Sequence, residues 1–173
     1  MSLTLGSRIG PSDVTAQIGA GGMGEGGNSA YEGRKDLRVR SRFYGSGVSL
    51  EAILAGKEQV PPQGARFDVA FEGRATGRLS GRVRGVDYLR MRADGRIDLD
   101  IRATIETDDG CRIALSADGV AVAHPGAPIA ELFENVSLTT AAAGYAWVNA
   151  RQIWAPGTVN LAAGKVHIDA YLQ

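Results

Sequence analysis

The chain has 173 residues, 44% of them hydrophobic, which is enough apolar material for one globular domain with a real interior. Its 19 basic side chains balance 19 acidic ones, so the formal net charge is zero. The chain lacks the excess of positive charge that favours binding to nucleic acid or to an anionic membrane, and we expect neither as a partner. The single cysteine, Cys111, excludes an internal disulfide and any metal site built from several cysteines.

The N-terminal segment is rich in glycine. Residues 9–25 contain a G-x-G-x-x-G pattern that starts at Gly19, and they resemble the Gly-rich loop of bacterial serine/threonine protein kinases. No H-R-D or D-F-G motif follows, so we predict that residues 1–35 form a flexible or loosely attached extension and that a β-domain spans 36–173. The first residues lack an apolar signal core and no apolar run is long enough to span a membrane, which predicts a cytoplasmic protein.

In the rest of the chain, apolar and polar side chains alternate with a period of two, and glycine occurs where the chain must reverse. This pattern indicates antiparallel strands. Asp94-Gly95 and Asp109-Gly110 are typical of two-residue hairpin turns. Strands are predicted near 43–54, 66–73, 77–84, 86–93, 96–107, 111–122, 131–140, 144–155, 157–162 and 165–172, with a Pro-broken loop at 124–130. About ten strands without a long helical pattern predict an all-β barrel or sandwich.

Alternation also assigns faces to the strands. In the strand near 96–107, Asp100 and Arg102 lie opposite the apolar residues. Such a polar row either is solvated on the outer face or lines the lumen of a barrel. The predicted strand at 144–155 places Tyr145, Trp147 and Asn149 together, and two aromatics beside an amide suit the wall of a pocket.

Four phrases in order carry a family resemblance: FEG at 71–73, GVDYLRMRADG at 85–95, LDIRATIETDDG at 99–110 and YAWVN at 145–149. From about residue 43 to 173 the chain resembles the bacterial and fungal family called domain of unknown function 3237. The resemblance implies an antiparallel β-barrel of about 8–10 strands, related in shape to allene oxide cyclase and the dirigent proteins. Those relatives bind hydrophobic small molecules and act without a cofactor.

The residues that match the family phrases supply the candidate site, to which we add Tyr88, where the family more often has Trp. The catalytic candidates are Asp100, Arg102, Tyr145 and Glu72. The substrate-binding candidates are Trp147, Asn149, Arg92, Asp87 and Tyr88. We expect no metal, because the two histidines and the scattered carboxylates show no ligand spacing.

Carboxylate acid–base chemistry is the reaction type that these residues favour. Arg102 would hold a carbonyl group while Asp100 or Glu72 moves a proton. Tyr145 would donate a hydrogen bond to a developing enolate oxygen, and Asn149 would orient that phenol. The sequence therefore predicts a cofactor-independent isomerase, cyclase or lyase that acts on an apolar carbonyl-containing metabolite.

Two other functions stay open at this point. One is a non-catalytic barrel that carries or senses a small apolar ligand. The other is a structural barrel whose strand edges pair in a homo-oligomer. A hydrolase is less favoured, because the chain has no G-x-S-x-G elbow and only two histidines, His124 and His167.

Overall fold

A computed structural model describes residues 14–20, 47–124 and 127–173. Its elements are β1 (Val14–Ala20), α1 (Leu50–Leu54), β2 (Ala65–Gly77), β3 (Gly81–Met91), β4 (Ile97–Thr107), β5 (Arg112–Ala123), β6 (Ile129–Thr139), a 3₁₀ helix (Ala143–Val148), β7 (Ile153–Asn160) and β8 (Lys165–Leu172). The eight strands form one closed barrel in chain order. This architecture confirms the predicted all-β barrel of about 8–10 strands.

Strands β2 to β8 pair antiparallel, each with the next along the chain. Seven alternating strands leave β2 and β8 pointing in the same direction, so a strand inserted between them has the same orientation toward both. β1 fills that position and pairs parallel with each, with Val14 opposite Gly73 on one side and Val166 on the other.

β1 lies inside the segment 1–35 that the sequence assigns to a loosely attached extension. The part of the chain that builds the barrel therefore begins before residue 36. Of the kinase-like pattern, Gly19 belongs to β1, whereas Gly21 and Gly24 lie outside the described residues.

The prediction of a strand over residues 43–54 is wrong where the structure describes it, because Leu50–Leu54 is a short helix. Ser49 caps this helix: its hydroxyl oxygen accepts a hydrogen bond from the Ala52 backbone N–H at 3.3 Å. The Ser49 backbone N–H in turn donates to the Glu58 carboxylate at 2.9 Å, which folds the following turn back onto the start of α1.

The strands predicted at 77–84 and 86–93 are one strand, Gly81–Met91. Gly85 suggested a turn between them, but it lies inside β3 next to Ala103 of β4. A Cβ atom at Gly85 would lie 2.3 Å from the Arg102 carbonyl oxygen, so only glycine allows this close approach. The chain reverses at the predicted Asp-Gly pairs, with φ of 89° at Gly95 and 85° at Gly110, but the turns are not two-residue turns. Each loop has three residues with glycine last, because the Gly95 N–H donates to the Arg92 carbonyl at 3.0 Å and the Gly110 N–H to the Thr107 carbonyl at 2.9 Å.

The strand predicted at 144–155 is also wrong. The chain forms a 3₁₀ helix over Ala143–Val148, and β7 starts only at Ile153. A 3₁₀ helix has three residues per turn, so Tyr145, Trp147 and Asn149 do not share a face.

The two ends of the barrel are filled differently. Fully buried Leu79, Ile105, Ile113 and Val148 close the end at which the β2–β3 and β4–β5 turns lie. The opposite end, which carries the β3–β4, β5–β6 and β7–β8 turns and α1, leads into a cavity. We call the end that is closed by buried side chains the packed end and the end that leads into the cavity the open end.

Candidate functional site

The barrel encloses a cavity of about 240 Å³. Its wall is formed by inward-facing aliphatic side chains such as Leu99, Leu132 and Ile168. Leu50 and Leu54 of α1 complete the lining at the open end. Two carboxylic acids, Asp87 and Glu134, are the only ionisable side chains in the described wall.

The two acids hold equivalent positions along their strands. Asp87 is the third inward-facing residue of β3 counted from the open end, after Met91 and Leu89. Glu134 is likewise the third on β6. Because β3 and β6 are separated by β4 and β5, the two acids approach the lumen from different parts of the wall.

Glu134 is buried, with only 7% of its surface exposed. No described residue forms a hydrogen bond or an ion pair with its carboxyl group. Burial raises the pKa of Glu134 to about 8, and the charge of Asp87 contributes to the same shift. Glu134 is therefore mainly protonated at neutral pH.

Asp87 is held in a somewhat more polar setting. Burial raises the pKa of Asp87 to about 6, although the Asp100 backbone N–H donates to its Oδ1 at 3.1 Å and so opposes the rise. Asp87 is mainly ionised at neutral pH. The cavity thus holds one carboxylate and one carboxylic acid, which is the arrangement that separates a proton acceptor from a proton donor.

Asp100 and Arg102 do not face the lumen, so of the two placements left open for their row, the solvated outer face is the one that the structure shows. Their side chains are 54% and 57% exposed and form an ion pair of 2.6 Å on the outer surface. The alternation of β4 explains their position, because Ile97, Leu99 and Ile101 take the inward phase.

We expect Asp100→Asn to change the free energy of unfolding by less than about 1 kcal/mol, because exposed ion pairs contribute little. Urea denaturation of the variant and the wild-type protein at neutral pH measures this difference. A loss of several kcal/mol would contradict the outward placement of the side chain.

Three other predicted site residues also lie on the outside. Glu72 forms an ion pair with Arg82 at 2.6 Å. Tyr88 packs beneath the Arg66 guanidinium, whose carbon lies 4.9 Å from the ring centre. Arg92 follows β3 in the turn at the open end and pairs with the carboxylate of Asp94.

The 3₁₀ helix does not line the cavity. Its side chains hold the β6–β7 connection against the neighbouring turns at the packed end. The Tyr145 hydroxyl donates to Asp109 at 3.0 Å. Trp147 lies 4.1 Å from the Arg78 guanidinium carbon, measured to the ring centre. Asn149 exchanges two hydrogen bonds with the Thr140 backbone, at 2.8 and 2.9 Å. Of the predicted site residues, Asp87 alone reaches the cavity.

Sequence reasoning missed Glu134, although a signal for it exists. The inward row of β6 reads Ala130, Leu132, Glu134, Val136 and Leu138, so a single acid interrupts an otherwise aliphatic phase. A carboxylate at such a position is costly to bury without a partner. That cost marks the position as a candidate site.

Within residues 47–124 and 127–173, no three His, Cys, Asp or Glu side chains come together as a metal site would require. None of the helices in the described part of the chain has the length and apolar character needed to cross a lipid bilayer.

Comparisons with known proteins agree with the fold. The family model described as "Protein of unknown function (DUF3237)" matches residues 52–172. A solved structure, a beta-barrel like protein from Acinetobacter baumannii AYE, is similar at 18% identity with a TM-score of 0.56. The similarity covers 83% of this chain and 99% of that one. None of the curated proteins matches the sequence.

Proposed function

Since the chain belongs to the DUF3237 family, whose description assigns no function, we propose from the cavity itself that the protein binds an apolar carbonyl compound and isomerises it by proton transfer. The observation that carries this proposal is the pair of acids in an aliphatic lumen. Their pKa values of about 6 and about 8 lie on either side of neutrality.

Each acid has one role in the proposed step. The carboxylate of Asp87 removes a proton from the carbon next to the carbonyl group, and the electrons of the broken C–H bond form an enolate. The protonated Glu134 donates a hydrogen bond to the oxygen on which the negative charge develops. Asp87 then returns the proton to the same carbon or to a conjugated one, so the step balances within the two side chains and the substrate.

The apolar wall supports this chemistry in two ways. It offers water few polar partners, so the hydrogen bond from Glu134 acts in a medium of low dielectric constant and is stronger than in water. It also keeps Glu134 protonated at a pH at which a solvated glutamate is ionised. General acid–base catalysis contributes roughly 10²- to 10⁴-fold, which suits a substrate with an activated C–H bond.

A non-catalytic carrier is the second candidate. The aliphatic lining around and between the acids favours it, because binding of an apolar molecule needs only that surface. A carrier would bind the ligand and leave its C–H bonds unchanged.

Hydrogen–deuterium exchange separates the two candidates. The probe is 2-indanone, a small uncharged ketone with activated α-hydrogens, and loss of its α-proton NMR signal in D₂O is followed with and without protein. We expect the wild-type protein to accelerate the exchange and Asp87→Asn to lower that acceleration by about 10²-fold or more.

Asp108→Asn is the matched control, since it removes the same type of charge from a surface ion pair with Arg74, and Asp108 does not contribute to the pKa shift of either acid in the lumen. It should exchange the probe at the wild-type rate. If the probe stabilises the wild-type protein against heat but is not exchanged faster than in buffer, the carrier is the correct function. Equal losses in the two variants would also contradict the roles of the acids.

A further inference from the structure

The positions of the two acids in the lumen also define a class of ligand. We infer that the cavity selects an uncharged molecule with its carbonyl group near the middle and apolar arms on both sides, and that it rejects molecules with an anionic group. This inference rests on the proposed function, because it describes the substrate of the same site.

The depth of the acids places the ligand's polar group. Asp87 and Glu134 each follow two apolar inward-facing residues from the open end, which corresponds to about 13 Å along a strand. Deeper in the lumen, Val83 on β3 and Val136 on β6 continue the apolar wall. A ligand whose carbonyl group meets Glu134 therefore has apolar surface on both sides of that group.

The charge of the lumen disfavours binding of anionic ligands. The described lining contains no Lys, Arg or His, and β1, with the sequence VTAQIGA, contains no ionisable residue at all. Basic side chains that could have served, such as Arg82 and Arg102, are paired with carboxylates on the outer surface. An anionic ligand would lose its hydration, find no cation among the described lining residues and be repelled by Asp87.

The volume limits the size of the ligand. A dry cavity of about 150 Å³ accommodates benzene, and sites for drug-sized ligands start at about 300 Å³. At about 240 Å³ the lumen lies between these values. Ligands of about 10 to 15 non-hydrogen atoms fit this range.

Three probes of equal chain length test the selection: 6-undecanone, with a central carbonyl, 2-undecanone, with a terminal one, and undecanoate, an anion. Calorimetric titration at neutral pH gives the affinity of each. We expect 6-undecanone to bind about tenfold more tightly than 2-undecanone, the gain of one buried hydrogen bond. Undecanoate should bind at least about 100-fold more weakly than 6-undecanone.

Two variants test whether Asp87 and Glu134 cause the ligand preference. Glu134→Leu removes the hydrogen-bond donor while keeping the wall apolar, and it should abolish the preference for the central carbonyl. The double variant Asp87→Asn with Glu134→Gln removes the negative charge of the lumen and should raise the affinity for undecanoate by at least about tenfold. Asp108→Asn, the outer-surface control, should keep the wild-type order.

The inference is overturned if undecanoate binds the wild-type protein as tightly as 6-undecanone, if the preference for the central carbonyl survives in Glu134→Leu, or if neither ketone binds. These results are distinct from a failure of the proposed function. That failure would appear as exchange of 2-indanone that does not depend on Asp87, and affinities for the undecanones involve no proton transfer.

Discussion

Glu134→Gln is expected to stabilise the protein in alkaline solution and to have little effect in mildly acidic solution. The glutamine has nearly the same shape as the glutamic acid but cannot ionise. The variant therefore avoids the cost that the wild-type protein pays when a carboxylate forms in an aliphatic cavity.

The direction of the pKa shift determines whether the free energy of unfolding rises or falls with pH. Burial raises the pKa of Glu134 from its ordinary 4.5 to about 8 in the folded protein. Between these values the folded state binds more protons than the unfolded state, so the free energy of unfolding falls as the pH rises. The decrease is complete above the folded-state pKa and amounts to roughly 3 to 5 kcal/mol.

Urea denaturation of wild type and variant at about pH 5 and about pH 9 measures the effect. The variant should lose much less stability over this range than the wild-type protein does. Asp87 contributes a decrease of the same sign that ends near its folded-state pKa of about 6, so some pH dependence remains in the variant. Parallel curves for the two proteins would show that Glu134 is solvated and ionised in the native state.

Two isoleucine-to-alanine substitutions on β4 are expected to differ in cost. Ile105 lies at the packed end with 0% exposure, whereas Ile101 is 9% exposed and lines the cavity. Ile105→Ala should lower the free energy of unfolding by about 2 to 5 kcal/mol, because it opens a void among close-packed side chains. Ile101→Ala should cost about half as much, because Ile101 already lacks partner atoms on the side of the cavity.

The two substitutions are directly comparable, since both residues are isoleucines on the inward face of the same strand. Urea midpoints of the two variants at neutral pH report the difference without any ligand. Equal losses would mean that the lumen is filled as tightly as the packed end. A larger loss for Ile101→Ala would contradict the placement of the cavity.

The period-two pattern was sufficient for most of the fold. β4, β5 and β8 were predicted within about one residue at each end, because aliphatic residues alternate with polar ones and Asp-Gly pairs mark the turns. The pattern failed where glycine had another role. Gly85 lies inside β3 because two backbones approach each other there, which no local signal distinguishes from a turn.

The site was less predictable, for a physical reason. Alternation divides a strand into two faces, but it does not by itself say which face is turned toward the lumen. Asp100 and Arg102 formed a regular polar row, which is typical of a solvated outer surface. Asp87 and Glu134 instead interrupt apolar rows, one in each of two distant strands. Only the closed barrel brings such isolated acids into one cavity.

The position of β1 has a consequence for the order of folding. β1 bridges β2 and β8, so the first described strand of the chain has the last described strand as a neighbour. The hairpins from β2 onward form from contacts that are local in sequence, whereas the bond between β1 and β8 closes the longest loop in the domain. Until that bond forms, β2 and β8 both present unpaired backbone to other chains. The partly folded chain is therefore most prone to self-association before the barrel closes.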